Sequence, residues 1–79
     1  MSEVTLYGRA GCHLCDEARD ALLALGRRHE FHLVEVDIET DDELHRRYLE
    51  RIPVIALDGE ELYDFFLDAE DLEARLRSL

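Results

Sequence analysis

The sequence predicts an α/β domain with elements in the order β-α-β-α-β-β-α, a mixed four-stranded sheet and helices on both of its faces. Three observations predict it: short apolar runs rich in β-branched residues, apolar stripes at helical spacing between them, and an Asp-Gly dipeptide that separates the last two runs. At 79 residues the chain has room for one domain, 1–79, and it contains no repeat or linker.

The first half of the chain predicts a β-α-β unit. Residues 4–7 form a β-branched and aromatic run followed by glycines, which indicates a strand that leads into a turn. Apolar residues in 15–25 recur at three- and four-residue spacing, as on the buried face of a helix, and Gly26 marks the end of that helix. Residues 31–38, FHLVEVDI, alternate apolar and polar side chains, which predicts a strand with one buried face.

The second half predicts a helix, a hairpin and a closing helix. Thr40 and Glu43 match the capping-box pattern, so we expect Thr40 to cap the second helix. The Asp-Gly dipeptide at 58–59 suits the positive φ angles of a tight hairpin turn. Asp68 is expected to cap the last helix. One side of that helix would carry Leu72, Leu76 and Leu79.

The charge of the chain disfavours two classes of partner. Nine basic and 20 acidic side chains give a formal net charge of −11, which repels phosphate backbones and anionic lipid. We therefore expect no binding to nucleic acid or to membranes. No apolar run approaches the ~18 residues of a membrane helix, and the first residues, MSEVTLYG, lack the basic and apolar regions of a signal peptide. We expect a cytoplasmic monomer.

Cys12 and Cys15 are the only cysteines in the chain and form a CxxC motif. Cβ atoms three residues apart on a helical turn lie ~5–6 Å apart, so a disulfide can form after modest adjustment. Two cysteines in a reducing compartment rarely serve as a structural crosslink. A CxxC near a β-α-β pattern there is typical of a redox-active centre.

The position of the motif predicts different roles for the two thiols. Cys12 lies at the start of the first helix, where unpaired N–H groups and the helix dipole favour a thiolate, so we expect it to be the nucleophile. Cys15 lies one turn further in, beside the apolar stripe, and suits the resolving role. Arg9 and His13 add positive charge nearby, and both would lower the pKa of Cys12 if they face it.

Two segments resemble a known family. Residues 6–15, LYGRAGCHLC, look like the first strand and active-site loop of glutaredoxins. Residues 52–62, IPVIALDGEEL, resemble the segment in that superfamily that begins with a cis-proline and continues into a hairpin. The resemblance covers nearly the whole chain and is strongest to small bacterial glutaredoxin-like proteins with a CxxC of variable interior. It implies a thioredoxin fold and dithiol–disulfide exchange.

The resemblance also implies roles for single residues. The two cysteines keep the roles given above, and Arg9 takes the place of a basic residue often found before the motif. Pro53 matches the cis-proline that packs beside the disulfide. The backbone of Ile52 would pair with an extended thiol substrate as an added strand would. Arg51, two residues before the proline, is a candidate substrate-binding residue.

The partners that the resemblance implies carry or reduce disulfides. The expected substrates are a disulfide-containing protein or a glutathione mixed disulfide. The expected reductants are glutathione or a thioredoxin-reductase-like enzyme. No tightly bound cofactor is expected.

Two segments differ from typical glutaredoxins. The motif interior is His13 and Leu14, where those proteins carry a proline. Residues 64–76, DFFLDAEDLEARL, lack the paired glycines and aspartates that hold the γ-glutamyl end of glutathione. Phe65 and Phe66 would either fill part of that space or, more simply, pack in the strand and the core. The physiological reductant therefore stays open.

The cysteines leave a second class of function open, namely soft-metal binding or delivery. Thiolates bind zinc, copper and iron–sulfur clusters, and small metallochaperones also place a CxxC between a first strand and a first helix. Such domains usually run β-α-β-β-α-β, however. A four-ligand zinc site would have to join Cys12, His13 and Cys15 with His29 or His32, which requires that loop to fold back over the active site. His29 is predicted at the opposite pole of the fold and is expected to be solvated. We assign no metal ligand. A non-catalytic interaction module is a third class, which the presence of both cysteines disfavours.

Overall fold

Seven regular elements follow one another in the predicted order. The computed structural model describes residues 2–78. One 3-10 turn, Ile38–Thr40, precedes the second helix. Within residues 2–78, no helix combines the length and apolar character needed to cross a membrane. The elements are β1 (Ser2–Gly8), α1 (His13–Gly26), β2 (Phe31–Asp37), α2 (Asp42–Tyr48), β3 (Val54–Leu57), β4 (Glu60–Asp64) and α3 (Ala69–Arg77).

The four strands form one mixed sheet in the order β2-β1-β3-β4. Strand β1 runs parallel to β2 and antiparallel to β3, and β4 is antiparallel to β3. The two central strands, β1 and β3, are the most buried because each has a neighbour on both sides. The predicted mixed four-stranded sheet is confirmed.

Side chains that alternate across the sheet build a separate core on each face. One core packs α1 and α3 against β1 and β3, and its centre includes Val4, Leu22 and Leu72, each 0% exposed. The other core packs α2 against the opposite face through Tyr48 and Ile38. Burial of each large aliphatic side chain contributes roughly 1.5–3 kcal/mol. Helices therefore cover both faces, as predicted.

Strand β2 lies at the edge of the sheet, and this limits its burial. Its apolar side chains are half-buried, but Leu33 and Val34 are neighbours and must face opposite sides of the sheet. The predicted strict alternation with one buried face is therefore wrong, because both faces of β2 are partly covered. No side chain of β2 is fully buried, because the strand has a neighbour on one side only. Ile38, which the pattern assigned to the strand, instead begins the 3-10 turn and is fully buried under α2.

The hairpin turns at 58–59, as predicted. The φ angle is 49° at Asp58 and 89° at Gly59, which suits a type I′ turn. Further along β4 one extra residue, Leu62, lies between the paired positions Glu61 and Tyr63. Such a bulge bends the strand and changes which side chains share a face.

The start of α2 differs from the prediction. The Asp41 carboxylate caps the helix, since its Oδ1 accepts hydrogen bonds from the N–H groups of Glu43 (2.8 Å) and Leu44 (3.2 Å). The Thr40 hydroxyl donates instead to the carbonyl of Asp37 at 2.7 Å. The capping prediction at Thr40 is wrong because the chain first makes a 3-10 turn, which moves the helix start by one residue.

The last helix begins as predicted. Asp68 caps it by accepting a hydrogen bond from the N–H of Asp71 at 3.1 Å. Leu72 is fully buried, and Leu76 packs against the same core. Leu79, which was predicted on the same side, lies outside the described residues.

Gly8, at the end of β1, contacts the first turn of α1. A Cβ atom at this position would lie 2.9 Å from Sγ of Cys15 and 3.1 Å from its Cβ. Any side chain here would therefore push the helix away from the strand. The glycine lets α1 begin directly against the central strand.

An ion cluster joins the C-terminal end of α1 to α3. His29 Nε2 lies 2.8 Å from Glu73 Oε2, so the expectation that His29 is solvated is wrong. Arg28 and Arg77 lie 3.3 and 3.4 Å from the same carboxylate. The hydrogen bond from His29, and then the two guanidinium groups, lower the pKa of Glu73.

We expect Gly8→Ala to lower the free energy of unfolding of the oxidised protein by roughly 1–3 kcal/mol, because the new methyl group overlaps Cys15. The matched control is Gly26→Ala, where the nearest atom to the new Cβ is Phe31 Cζ at an ordinary 3.8 Å. This control should be neutral or stabilising by about 0.5–1 kcal/mol. Urea unfolding measures both. Equal stability of the two variants would contradict the proposed contact.

We expect Glu73→Gln to reduce the dependence of the free energy of unfolding on pH in the acid range. The folded-state pKa of Glu73 is below its ordinary 4.5, so the ionised carboxylate stabilises the fold above that value. This stabilisation is lost as the pH falls through the lower, folded-state value. The variant should be less stable than the parent at pH ~7 and equally stable at pH ~2, measured by urea unfolding across this range. Glu30→Gln, at an exposed loop position, is the control and should keep the parent profile. A constant offset between Glu73→Gln and parent at every pH would argue against the ionic origin.

Candidate active site

The CxxC motif lies where β1 ends and α1 begins. After Gly8 the chain turns, and Gly11 has a φ of 80°, a conformation that glycine adopts without steric cost. Cys12 has an extended backbone and occupies the N-cap of α1, so that the helix proper begins at His13. The motif is thus at the start of the first helix, as the sequence predicted.

The two cysteines are joined to each other and differ in exposure. Their Cα atoms are 5.2 Å apart and their sulfurs form a disulfide. Cys15 is 6% exposed, whereas Cys12 is half-buried. Sγ of Cys12 accepts a hydrogen bond from the N–H of Cys15 at 3.2 Å, which is the bond that a capping oxygen normally accepts. A thiolate at Cys12 would therefore face a backbone donor and the positive end of the helix dipole.

The loop before β3 lies beside the motif. The antiparallel register of β1 and β3, continued by one position, places Pro53 opposite Gly8. Gly8 in turn contacts Cys15. Pro53 is fully buried, and its peptide bond with Ile52 is cis. The chain therefore brings its single proline to the same end of the sheet as the two sulfurs.

One of the two backbone groups of Ile52 is already hydrogen-bonded within the chain. Its N–H donates to the carbonyl of Tyr48 at 3.0 Å. Over residues 2–78, no hydrogen-bond donor reaches the Ile52 carbonyl. Pairing of Ile52 with a substrate stays a prediction, and it would use the carbonyl.

Arg51 is directed towards β4. Its Nη2 lies 2.8 Å from Glu61 Oε1, and its Nε lies 3.3 Å from Asp64 Oδ2. The bulge at Leu62 explains how two carboxylates three positions apart come to share one face of the strand. Since the guanidinium already has two anionic partners, substrate binding by Arg51 stays a prediction. No pattern in the sequence predicts the partners of Arg51, because the bulge is not visible in a period-two pattern.

Tyr48 connects α2 with β1 and β4 next to this arginine. Its ring stacks on Tyr7 with centroids 4.5 Å apart, and its hydroxyl donates to Glu61 Oε2 at 2.6 Å. Burial and the hydrogen bond to Glu61 raise the pKa of Tyr48 to about 12, so the phenol stays protonated as a donor. The hydrogen bonds from Tyr48 and Arg51 lower the pKa of Glu61. This cluster fixes the segment that leads into the cis-proline.

Arg9 and His13 each have a carboxylate partner. Arg9 Nη1 lies 3.9 Å from Glu39 Oε2. His13 is 88% exposed, and its Nε2 lies 3.1 Å from Glu17 Oε2, one turn along α1. A direct effect of either residue on Cys12 stays a prediction.

Phe65 and Phe66 form an exposed pair after β4. They are 50% and 69% exposed, so the prediction that they pack in the strand and the core is wrong. Phe65 has a φ of 70°, a left-handed conformation that costs a non-glycine residue roughly 1–2 kcal/mol. Its N–H donates to the carbonyls of Arg51 (3.0 Å) and Pro53 (2.9 Å). One signal was present in the sequence: consecutive residues of a strand face opposite sides, so two adjacent aromatics cannot both enter one core.

The described part of the chain, residues 2–78, contains no group of three or more His, Cys, Asp or Glu side chains arranged to hold a metal ion. His29, one of the histidines considered as a ligand, is hydrogen-bonded to Glu73. Two thiolates alone fall short of the four ligands of a structural zinc site.

Sequence and structure comparisons identify relatives. The glutaredoxin-like domain family (DUF836) matches residues 3–77. A protein from Nitrosomonas europaea, solved by NMR in solution, is 35% identical, with a TM-score of 0.82 over 95% of this chain and 91% of that chain. A protein from X. campestris, solved by X-ray diffraction, is 42% identical, with a TM-score of 0.72 over 96% and 97%. A mutant thioredoxin from Halobacterium salinarum is 18% identical, with a TM-score of 0.70 over 98% and 73%.

These relatives agree with the fold and cover nearly all of the chain. The thioredoxin neighbour, at its low identity, supports the fold alone, whereas the family match and the two more similar proteins cover almost the entire chain. The fold together with the Cys12–Cys15 pair indicates a redox protein. The chain belongs to the glutaredoxin-like family of the thioredoxin superfamily.

Proposed function

We propose that this protein is a thiol–disulfide oxidoreductase that exchanges the Cys12–Cys15 dithiol or disulfide with disulfide substrates. The observation that carries the proposal is the unequal environment of two bonded sulfurs. Cys12 is half-buried at a helix N-cap with a backbone donor, and Cys15 is buried against β1. A crosslink between residues three apart in one helical turn adds little to the stability of the fold, because the loop that it closes is so short.

The first step of the reaction is attack by the Cys12 thiolate on a substrate disulfide. The substrate S–S bond breaks, a mixed disulfide forms between Cys12 and one substrate sulfur, and the other substrate sulfur leaves as a thiolate that takes a proton from water. The N–H of Cys15 and the start of α1 stabilise the negative charge on Cys12 before the attack.

The second step resolves the mixed disulfide. Cys15 loses its proton and attacks Sγ of Cys12, which reforms the Cys12–Cys15 bond and releases the second substrate thiol. Two electrons have passed from the protein dithiol to the substrate, which gains two protons in total. The short distance between the two Cα atoms, 5.2 Å, lets the fold stay in place during this exchange. The reverse sequence would oxidise a substrate dithiol.

The charges beside Cys15 bear on the identity of the reductant. A surface pocket of about 190 Å³ adjoins this cysteine. Its charged lining consists of Arg9, Arg19, Asp16, Glu35 and Asp37. Three carboxylates against two guanidinium groups disfavour an anionic tripeptide such as glutathione there. Glutathione and a thioredoxin-reductase-like enzyme both remain candidate reductants, and the excess of carboxylates favours the enzyme.

We expect the reduced protein to lose two titratable thiols on mild oxidation and to regain both with dithiothreitol. Reduced Cys15→Ser should form a stable mixed disulfide with bis(2-hydroxyethyl) disulfide, because the resolving thiol is absent. Reduced Cys12→Ser should react slowly, because its remaining thiol, Cys15, is buried and not activated. Thiol titration and intact mass spectrometry measure all three forms.

Two outcomes would contradict the proposal. One is stoichiometric zinc, copper or iron in the purified protein, with thiols that react only after a chelator is added, which would support the metal-binding alternative. The other is trapping of a mixed disulfide by Cys12→Ser rather than by Cys15→Ser, which would reverse the assigned roles.

A further inference from the structure

The proton of the Cys15 thiol needs a route out of the fold. In the second step of the proposed reaction Cys15 loses this proton before its sulfur attacks Sγ of Cys12. Cys15 is only 6% exposed, so few positions around it can receive the proton. The surface pocket of about 190 Å³ is lined by Cys15 and by Gly8, and it has room for several waters. The pocket therefore connects the buried thiol with solvent.

The register of β1 and β2 places Asp37 beside the sulfur of Cys15. The two strands are parallel and Gly8 pairs with Asp37, so side chains at these two positions project from the same face of the sheet. A Cβ atom on Gly8 would lie 2.9 Å from Sγ of Cys15. Asp37 leaves the sheet one strand further along, ~4.8 Å from Gly8. A single bridging water can span a separation of this size.

Asp37 is held in place through one carboxylate oxygen. Its Oδ1 accepts a hydrogen bond from the N–H of Glu39 at 2.9 Å, at the start of the 3-10 turn. Within residues 2–78, no donor is bonded to Oδ2, and no arginine or histidine pairs with this carboxylate. Arg9, which also lines the pocket, lies 3.9 Å from Glu39 Oε2 instead. Oδ2 of Asp37 is thus free to accept a hydrogen bond from water.

The other two carboxylates of the pocket share one arginine. Arg19 Nη2 lies 3.5 Å from Asp16 Oδ1, and its Nη1 lies 3.9 Å from Glu35 Oε1. A guanidinium partner favours the charged form of a carboxylate. Protonation of Asp16 or Glu35 would therefore weaken an ion pair, whereas protonation of Asp37 would weaken none within residues 2–78. Among the three carboxylates that line the pocket, Asp37 is the favoured proton acceptor.

We propose that the Asp37 carboxylate accepts the proton of Cys15, through a water in this pocket, during the second step of the exchange. The S–H bond of Cys15 breaks, the water passes a proton to Oδ2 of Asp37, and the thiolate attacks Sγ of Cys12. The bond between Cys12 and the substrate sulfur breaks, and the substrate thiolate takes a proton from water. Asp37 then returns its proton to solvent. This inference rests on the proposed exchange reaction and names the proton acceptor of its second step.

The decay of the mixed disulfide tests the role of Asp37. Reduced protein is mixed with bis(2-hydroxyethyl) disulfide, and acid quench with intact mass spectrometry follows the mixed disulfide over time. In Asp37→Asn it should decay about 100-fold more slowly than in the parent, the lower end of the usual contribution of a general base. The amide oxygen of the new side chain can still accept the Glu39 N–H, so the 3-10 turn is retained. Glu35→Gln removes a negative charge from the same pocket and should keep the parent rate.

Chemical rescue distinguishes a proton acceptor from a structural role. Formate supplies a carboxylate that is small enough for the pocket, so it should speed the decay in Asp37→Asn and leave the parent rate unchanged. The first step is measured by trapping in Cys15→Ser. Its rate should be the same with and without Asp37→Asn, because Cys15 gives up no proton in that step.

The outcomes separate this proposal from the proposed function. Equal decay in the parent and in Asp37→Asn would overturn the role of Asp37 and leave the exchange reaction intact. Equal slowing in Asp37→Asn and Glu35→Gln, or slowing that formate does not relieve, would also overturn it, because loss of charge or a distorted loop would then explain the effect. If Cys15→Ser forms no mixed disulfide at all, the proposed function fails and this inference fails with it.

Discussion

The contact between Gly8 and Cys15 is the constraint on which the arrangement of the site depends. Because Gly8 has no side chain, α1 can begin directly against the end of β1, with Sγ of Cys15 only 2.9 Å from where a Cβ would lie. The contact buries Cys15 and places Cys12, one turn earlier, at the helix N-cap beside a backbone donor. The register of the sheet, continued by one position, places Pro53 opposite Gly8. One glycine thus creates different environments for two chemically identical thiols.

Charge pairing reduces the positive charge that basic residues present near the site. Arg9, Arg19 and Arg51 each lie within 4 Å of at least one carboxylate, and the chain as a whole has a net charge of −11. Three exposed apolar side chains, Leu14, Phe65 and Phe66, line a pocket against the first half of α1.

Local sequence rules predicted most of the fold and the centre of the site. The CxxC at a helix start, the turn at 58–59 and the element order depend on neighbours in the sequence, and each is present. The features that were missed depend on contacts between distant segments. Asp41 replaces Thr40 as a cap because a buried 3-10 turn moves the helix start. Phe65 turns outward because its N–H donates hydrogen bonds to carbonyls in the loop before β3. It directly follows β4, which a bulge bends. Neither the bulge nor these bonds have a signature in a local pattern.

Limited alkylation of the reduced protein measures the asymmetry of the two thiols. A substoichiometric amount of iodoacetamide is added at neutral pH, and peptide mass spectrometry measures the fraction of Cys12 and Cys15 that is modified. We expect Cys12 to be labelled first and Cys15 to react only after unfolding, since one thiol caps a helix and the other is 6% exposed. Equal labelling of the two cysteines, or faster labelling of Cys15, would contradict it.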